Sequence, residues 1–414
     1  MMGGVHASVL LFGLAESVTT LGNWMTQMAV FSLLIFRGGG TIEQSTGILL
    51  SSLVSAGLAS PLAGSLCDRF DRKILVIAGY FLSGLVAMGL LATREPRQIY
   101  FCLAVLGALS SIVTPARQST LRDILPPKEL ARSNAFLQQL ASLVKISGPV
   151  AGGLLLLRIE PRVAIALNVA SYLMGAAILM WLPSSRPLKA SSLARGYGKR
   201  PYGTPSLAPI RAAYRSFPFV GALIPNVLCL AATMMVFDAT ASIIVRDLLQ
   251  AGEGLLGILV SLIGCGTLVS STFLAFRKHE GDPWHDLIKG QMLLVAIPIS
   301  VVIVPWLSLE MGRVVVSVLC FIGGLGNGFT TVQTLTLLQL MVPKDYVGRI
   351  NGIYQSGIAV SQFVAAMLTP MLIPAYLSIP SAFGALTFVM LFLMARIILK
   401  VGKRHTFTTG DEWT

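Results

Sequence analysis

The stretch GSLCDRFDRK, Gly64 to Lys73, carries five charges, on Asp68, Arg69, Asp71, Arg72 and Lys73. On either side of it, Gln44 to Leu66 and Ile74 to Thr93 contain no charged residue. A bilayer core about 30 Å thick is crossed by roughly 20 apolar residues at 1.5 Å each, so each flank is long enough for one crossing. The charged stretch then joins two membrane helices at one surface of the bilayer.

Outward from that pair, runs of the same kind recur along 414 residues that are 54% hydrophobic and 12% charged. That is more apolar than a water-soluble domain tolerates. Twelve spans are expected: Ser8 to Phe36, Gln44 to Leu66, Ile74 to Thr93, Gln98 to Gln118, Ser133 to Leu157, Val163 to Leu182, Phe217 to Val245, Gly254 to Phe276, Asp286 to Trp306, Val314 to Met341, Ile350 to Ile373 and Ser378 to Lys400. The expected fold class is an all-α integral membrane protein. The first run has no basic leader and is too long for a signal peptide's apolar core, so it reads as a retained span.

The net charge of +13 is explained by topology rather than by nucleic-acid binding. With the N-terminus in the cytoplasm, the inner loops collect Arg69, Arg72, Lys73, Arg117, Arg122, Lys128, Arg132, Arg277, Lys278, Lys289, Lys344 and Arg349. The opposite loops hold only Arg37, Arg94, Arg97, Arg158, Arg162, Arg246 and Arg313. Basic residues gather on the cytoplasmic side, which places both termini there and suits a multi-pass protein of the plasma membrane. Five cysteines without paired spacing and four histidines outside the apolar runs give no disulfide framework, metal site or cofactor site.

Between Pro183 and Phe217 the sequence turns basic and rich in Gly, Ser and Pro, the composition of a flexible linker. It divides the chain into a six-helix bundle over 1–182, a cytoplasmic linker over 183–216, a second six-helix bundle over 217–400 and a tail over 401–414. The halves echo each other: PPKELARSNAF (Pro126 to Phe136) follows the fourth span and VPKDYVGRINGIY (Val342 to Tyr354) the tenth. This is the pattern of parallel repeats about an axis normal to the membrane.

These residues resemble the major facilitator superfamily of secondary transporters. Its loop between helices 2 and 3 has the form G-x-L-a-D-r-x-G-r-k, matched by Gly64, Leu66, Asp68, Arg69, Arg72 and Lys73, with Asp71 where the pattern has glycine. The D-R-x-D-R variant, with Thr114 to Phe136 and Lys145 to Gly153, is similar to the branch that includes macrolide-efflux proteins and the enterobactin exporter. The resemblance implies two pseudo-symmetric bundles, and a gate in which Asp68 latches onto the start of helix 11 near Asn351, with Arg117, Arg132 and Arg349 beside it. A solvated loop that only obeys the positive-inside bias is the alternative.

Glu16, Lys145 and Asp238 are the ionisable residues well inside apolar runs. Such groups face a cavity or a partner, because lipid exposure is costly. A carboxylate in an alternating cavity can carry the coupling proton if its surroundings change between states. The competing reading is a structural pair, for instance Glu16 with Lys145. Asn23, Gln27, Asn327, Gln333 and Gln339 are candidate cavity groups, with packing between helices as the alternative. Gly148, Pro149, Gly152 and Gly153 are similar to the helix 5 motif of antiporters, which implies export. Two features depart from the resemblance: Asn23 stands where the branch frequently has Asp, and helix 4 is read as lacking the buried Arg of many drug antiporters.

The function expected is secondary active transport, as proton-coupled export of small amphipathic molecules such as drugs or siderophores, by a monomer whose partners are the solute, the proton gradient and the bilayer. An importer, a lipid flippase or a non-transporting sensor or scaffold remain open alternatives. Neither a catalytic constellation nor a nucleotide-binding G-x-x-x-x-G-K-[ST] loop occurs.

Overall fold

The computed structural model describes residues 2–93, 95–124, 127–181, 220–277, 282–341, 344–373 and 375–405. Among these the regular structure is helical, without strands. In chain order the helices are α1 (Met2–Phe31), α2 (Ile42–Arg69), α3 (Arg72–Ala92), α4 (Pro96–Ile124), α5 (Pro127–Leu155), α6 (Pro161–Met180), α7 (Val220–Ile243), α8 (Glu253–Phe276), α9 (Pro283–Leu294 and, past Val295, Ala296–Ile303), α10 (Leu309–Met341), α11 (Lys344–Leu372) and α12 (Ile379–His405). Twelve spans were expected from the apolar runs, and twelve helices stand in their places.

Helix ends differ from the ends of the apolar runs for a physical reason. Hydropathy marks where the chain leaves the bilayer, whereas backbone hydrogen bonds carry a helix on into water. Thus α4 continues past Gln118 to Ile124, and α5 begins at Pro127 rather than Ser133. A proline in the first turn suits such a start, since its missing N–H had no partner there. The repeated PPKELARSNAF and VPKDYVGRINGIY segments therefore open helices in their described parts. A second echo is conformational: α1 and α7 each end in a π-turn, Ser32–Phe36 and Ile244–Leu248.

Among the described residues, eight helices are long and apolar enough to cross a membrane: those of α3, α4, α6, α7, α8, α9, α10 and α12. The remaining four have 28 to 30 residues. Large apolar side chains stand exposed along the helices, among them Leu58, Phe101, Phe273, Val360 and Phe388. That surface suits lipid, where each helix satisfies its own backbone.

The chain divides into two compact units, Met1–Pro201 with Ala251–Ser261, and Tyr202–Gln250 with Leu262–Thr414. Lipid gives helices no hydrophobic reason to associate, so small residues and hydrogen bonds hold them together. In the first unit Phe12, Val76, Tyr80, Val113, Val169 and Tyr172 form the core. Gly22 of α1 lies against Asn168 and Ser171 of α6. In the second unit Leu223, Val227, Trp284, Leu287, Leu337 and Tyr354 form the core. There the α10 glycines alternate between neighbours: Gly323 and Gly326 meet α9 at Ile297 and Leu294, while Gly324 and Gly328 meet α8 at Ile263 and Ser270.

Candidate functional site

The charged stretch between α2 and α3 has two visible structural roles. Asp71 is the N-cap of α3, its carboxylate accepting from the backbone N–H of Lys73 at 2.8 Å and of Ile74 at 3.3 Å. This accounts for an acid where the family pattern has glycine: the helix start gains a charged cap for its orphan N–H groups. Lys73 donates from Nζ to the carbonyl of Met180 at 3.1 Å, placing a cation at the C-terminal end of α6. Asp282 caps α9 in the same way, accepting from Trp284 N–H at 3.0 Å. Arg69 is exposed and Arg72 half-buried. Gly64, Asp68, Arg132 and Arg349 have helical backbones, but their side chains lie outside the described residues, as do residues 183–216.

Glu16, Thr20, Asn23 and Gln27 follow one another at spacings of four, three and four residues, which puts them on one face of α1. Arg117 of α4 meets that face: its Nη1 lies 2.7 Å from Glu16 Oε1, with side-chain exposures of 22% and 15%. This corrects two expectations. Helix 4 does carry a sheltered arginine: Arg117, at the end of the expected span and counted there with the inner-loop cations, lies well inside α4, which runs on to Ile124. Glu16 is paired with Arg117 and not with Lys145, which is exposed one position beyond the buried Val144 and makes no ion pair among the described residues.

Asn23 is tied to α6. Tyr172 donates its hydroxyl to Asn23 Oδ1 at 2.6 Å, and Asn168 Nδ2 donates to the same oxygen at 3.4 Å. Asn168 gives a further bond to Thr26 Oγ1 at 2.7 Å and accepts one from Ser171 at 2.8 Å. Gln27, one turn on, is half-buried.

The helix 5 motif packs tightly. A Cβ at Gly148 would stand 2.5 Å from the Trp24 ring, one at Gly152 3.1 Å from Met28. A Cβ at Gly153 would stand 2.8 Å from the Glu253 carbonyl, and one at Gly257 would strike the carbonyl of Pro149. The N–H of Val150 donates to Ser261 Oγ at 3.1 Å, beside the proline that cannot donate. Glu253, which the sequence reading passed over, accepts from Ser32 at 2.9 Å and lies 3.7 Å from Arg37. Its signal was an acid just ahead of an apolar run.

In the second unit, Asp238 is exposed on α7. Asn327 donates to Thr267 of α8 at 3.2 Å. Gln333 is buried and donates to Asp286 Oδ2 at 3.3 Å, a carboxylate that Arg277 also holds at 2.8 Å. Asp286, read from sequence only as the first residue of a span, is 5% exposed.

Residues 12–366 match the sequence model of the Major Facilitator Superfamily, and the chain belongs to that superfamily. It is a membrane-embedded, multi-pass transporter that handles small-molecule substrates, not an enzyme. It is 23% identical over 396 residues to the "Uncharacterized MFS-type transporter YfiS" of Bacillus subtilis (strain 168), covering 94% of this chain and 92% of that protein. A shorter match, 26% identical, joins 29% of this chain to 30% of the "Multi-drug resistance efflux pump PmrA homolog" of Lactococcus lactis subsp. lactis (strain IL1403). Among solved structures, a mutant of the nucleoside transporter NupG superposes with a TM-score of 0.74 at 9% identity, covering 94% of this chain and 99% of that one. A POT family transporter in complex with 5-aminolevulinic acid gives 0.68 at 13% identity, over 95% and 96%. Those two likenesses speak for the fold alone.

Proposed function

We propose that this transporter is a proton-coupled exporter of small amphipathic molecules, drugs or siderophores, acting as a monomer by alternating access in the plasma membrane with both termini in the cytoplasm. The Glu16–Arg117 ion pair on the polar face of α1 carries the reading. A proton taken by Glu16 removes its charge and frees Arg117; re-forming the pair expels the proton. The pair thus gives the first unit two electrostatic states that differ by one proton, which is what coupling requires. Breaking a sheltered pair by deleting one partner leaves the other charge uncompensated, so the two states differ appreciably in energy.

The bundles over 1–182 and 217–400 are the bodies that would move, joined by the linker 183–216. Asp68, Arg69, Arg72, Lys73, Arg132 and Arg349 are assigned to the cytoplasmic gate. Export draws support from the helix 5 motif at Gly148 to Gly153, and from the names of the relatives: besides the efflux pump homolog, "Multidrug resistance protein 2" of Bacillus subtilis (strain 168) is 26% identical over 146 residues. The branch with macrolide-efflux and enterobactin-exporting proteins is our placement from Thr114 to Phe136 and Lys145 to Gly153. Asp238, exposed on α7, is the second candidate carboxylate, ranked below Glu16 because Glu16 is the sheltered one, paired with Arg117 on the polar face of α1. The experiment is accumulation of a compound panel in inverted vesicles with an acid interior. Wild type should accumulate substrate as protons leave; Glu16→Gln should not, while Asp238→Asn should. Full gradient-driven transport in Glu16→Gln would remove the coupling role from this pair.

A further inference from the structure

We propose that Asn23 is a substrate subsite that presents a fixed hydrogen-bond donor to an uncharged acceptor oxygen, such as an amide carbonyl, nitro or ether group. The inference deepens the transport reading, since it assigns part of that site's specificity. The argument rests on how the amide is held. Asn168 spends both of its amide hydrogens, one on Thr26 and one toward Asn23, while its own oxygen accepts from Ser171. Asn23 can meet such a donor only with its oxygen. Tyr172 donates to the same oxygen at 2.6 Å. The amide of Asn23 is therefore locked with Oδ1 toward α6 and Nδ2 away from it.

That nitrogen is on an exposed residue, and no acceptor meets it among the described residues. It lies on the polar stripe between Glu16 and Gln27, the face of α1 that lipid would penalise. Glu16 is two turns away, about 10 Å along the helix, and its charge is balanced by Arg117. The donor is thus offered on a face without net charge. An uncharged, acceptor-bearing molecule fits that chemistry; a cation without acceptors gains nothing from it. Tyr172 acts through Asn23 and is a positioning residue.

Equilibrium binding of two radiolabelled probes to the purified full chain in detergent tests this. Chloramphenicol is neutral and carries amide, nitro and hydroxyl oxygens; tetraphenylphosphonium is a lipophilic cation with no acceptor. Asn23→Leu removes the outward donor without offering a carboxylate to the hydroxyl and amide N–H donors of chloramphenicol, so chloramphenicol affinity should fall about tenfold while tetraphenylphosphonium affinity holds. Tyr172→Phe frees the amide to turn and should weaken chloramphenicol about threefold, again sparing the cation. Thermal unfolding of each variant shows whether the fold survives. The subsite is overturned if the folded variants bind chloramphenicol within twofold of wild type, if both probes weaken together, or if wild type does not bind chloramphenicol. No gradient is present in this assay, so failure here leaves the Glu16 coupling role to be judged by its own vesicle experiment.

Discussion

Arg117 of α4 and Gln333 of α10 hold the same place in the internal repeat, yet they hold very different partners. Carrying the Pro127–Pro343 match back without a gap sets Thr114, Arg117 and Thr120 against Thr330, Gln333 and Thr336. Aligning the two π-turns likewise sets Glu16 of α1 against Leu228 of α7. The first unit has an ion pair where the second has a leucine and an amide. In the second unit the charge has moved to Asp286, near the start of α9, where Arg277 and Gln333 hold it. The difference teaches that the repeat preserves helix positions while charge is redistributed. Of these two carboxylates Glu16 is the more accessible, at 15% side-chain exposure against 5% for Asp286. A group that exchanges protons needs that access; a group that fastens helices does not.

The largest effect that would sharpen this contrast is expected from Arg117→Met, which strands the Glu16 carboxylate. Stability should fall by about 3–5 kcal/mol, and gradient-driven transport should stop. Adding Glu16→Gln to that variant should restore most of the stability but not the transport, as read by thermal unfolding of the purified proteins. Recovery of transport in the double variant would break the contrast.

Asp286→Asn should cost less, about 1.5–3 kcal/mol, the loss of a charge-assisted hydrogen bond from Arg277, whose own side chain is 32% exposed and can turn to water. Gradient-driven transport per folded molecule should persist, measured in the same vesicles with transport normalised to folded protein. Loss of coupling in this variant would move the proton site into the second unit.

The smallest effects are expected at the two helix caps, where the units are alike. Asp71→Ala and Asp282→Ala each remove an N-cap, and each should lower stability by about 1 kcal/mol. A larger loss at Asp71 than at Asp282, whose carboxylate also lies 2.6 Å from His285 Nδ1, would show that Asp71 does more than cap.

Much of the fold was legible because lipid imposes a simple rule, and twelve apolar runs of adequate length gave twelve helices. Helix ends were less legible, and one such error had functional weight. Arg117 stood at the penultimate position of its expected span, Gln98 to Gln118, next to the polar Gln118, Ser119 and Thr120, and so was counted with the loop cations; the helix runs on to Ile124, and within it Arg117 meets Glu16. Lys145 was read as a neighbour of the carboxylate because both are intramembrane charges, but position along a helix does not reveal direction around it. Asn23 was visible as a polar residue in an apolar run, whereas its orienting partners Tyr172 and Asn168 lie on α6, and only tertiary contact shows them. The backward extension of the repeat to Arg117 and Gln333 was readable in the sequence and would have flagged Arg117 as more than a loop cation.

The most direct test of the central claim, that the first unit's pair is the proton site, is proton release on substrate binding. The panel compound most strongly exported in vesicles would be added to purified protein in weakly buffered detergent solution, with a pH-sensitive dye as the readout. The account predicts a proton released from the wild type and from Asp286→Asn as substrate binds, and none from Glu16→Gln. Release that survives Glu16→Gln, or that disappears in Asp286→Asn while binding is retained, would contradict it.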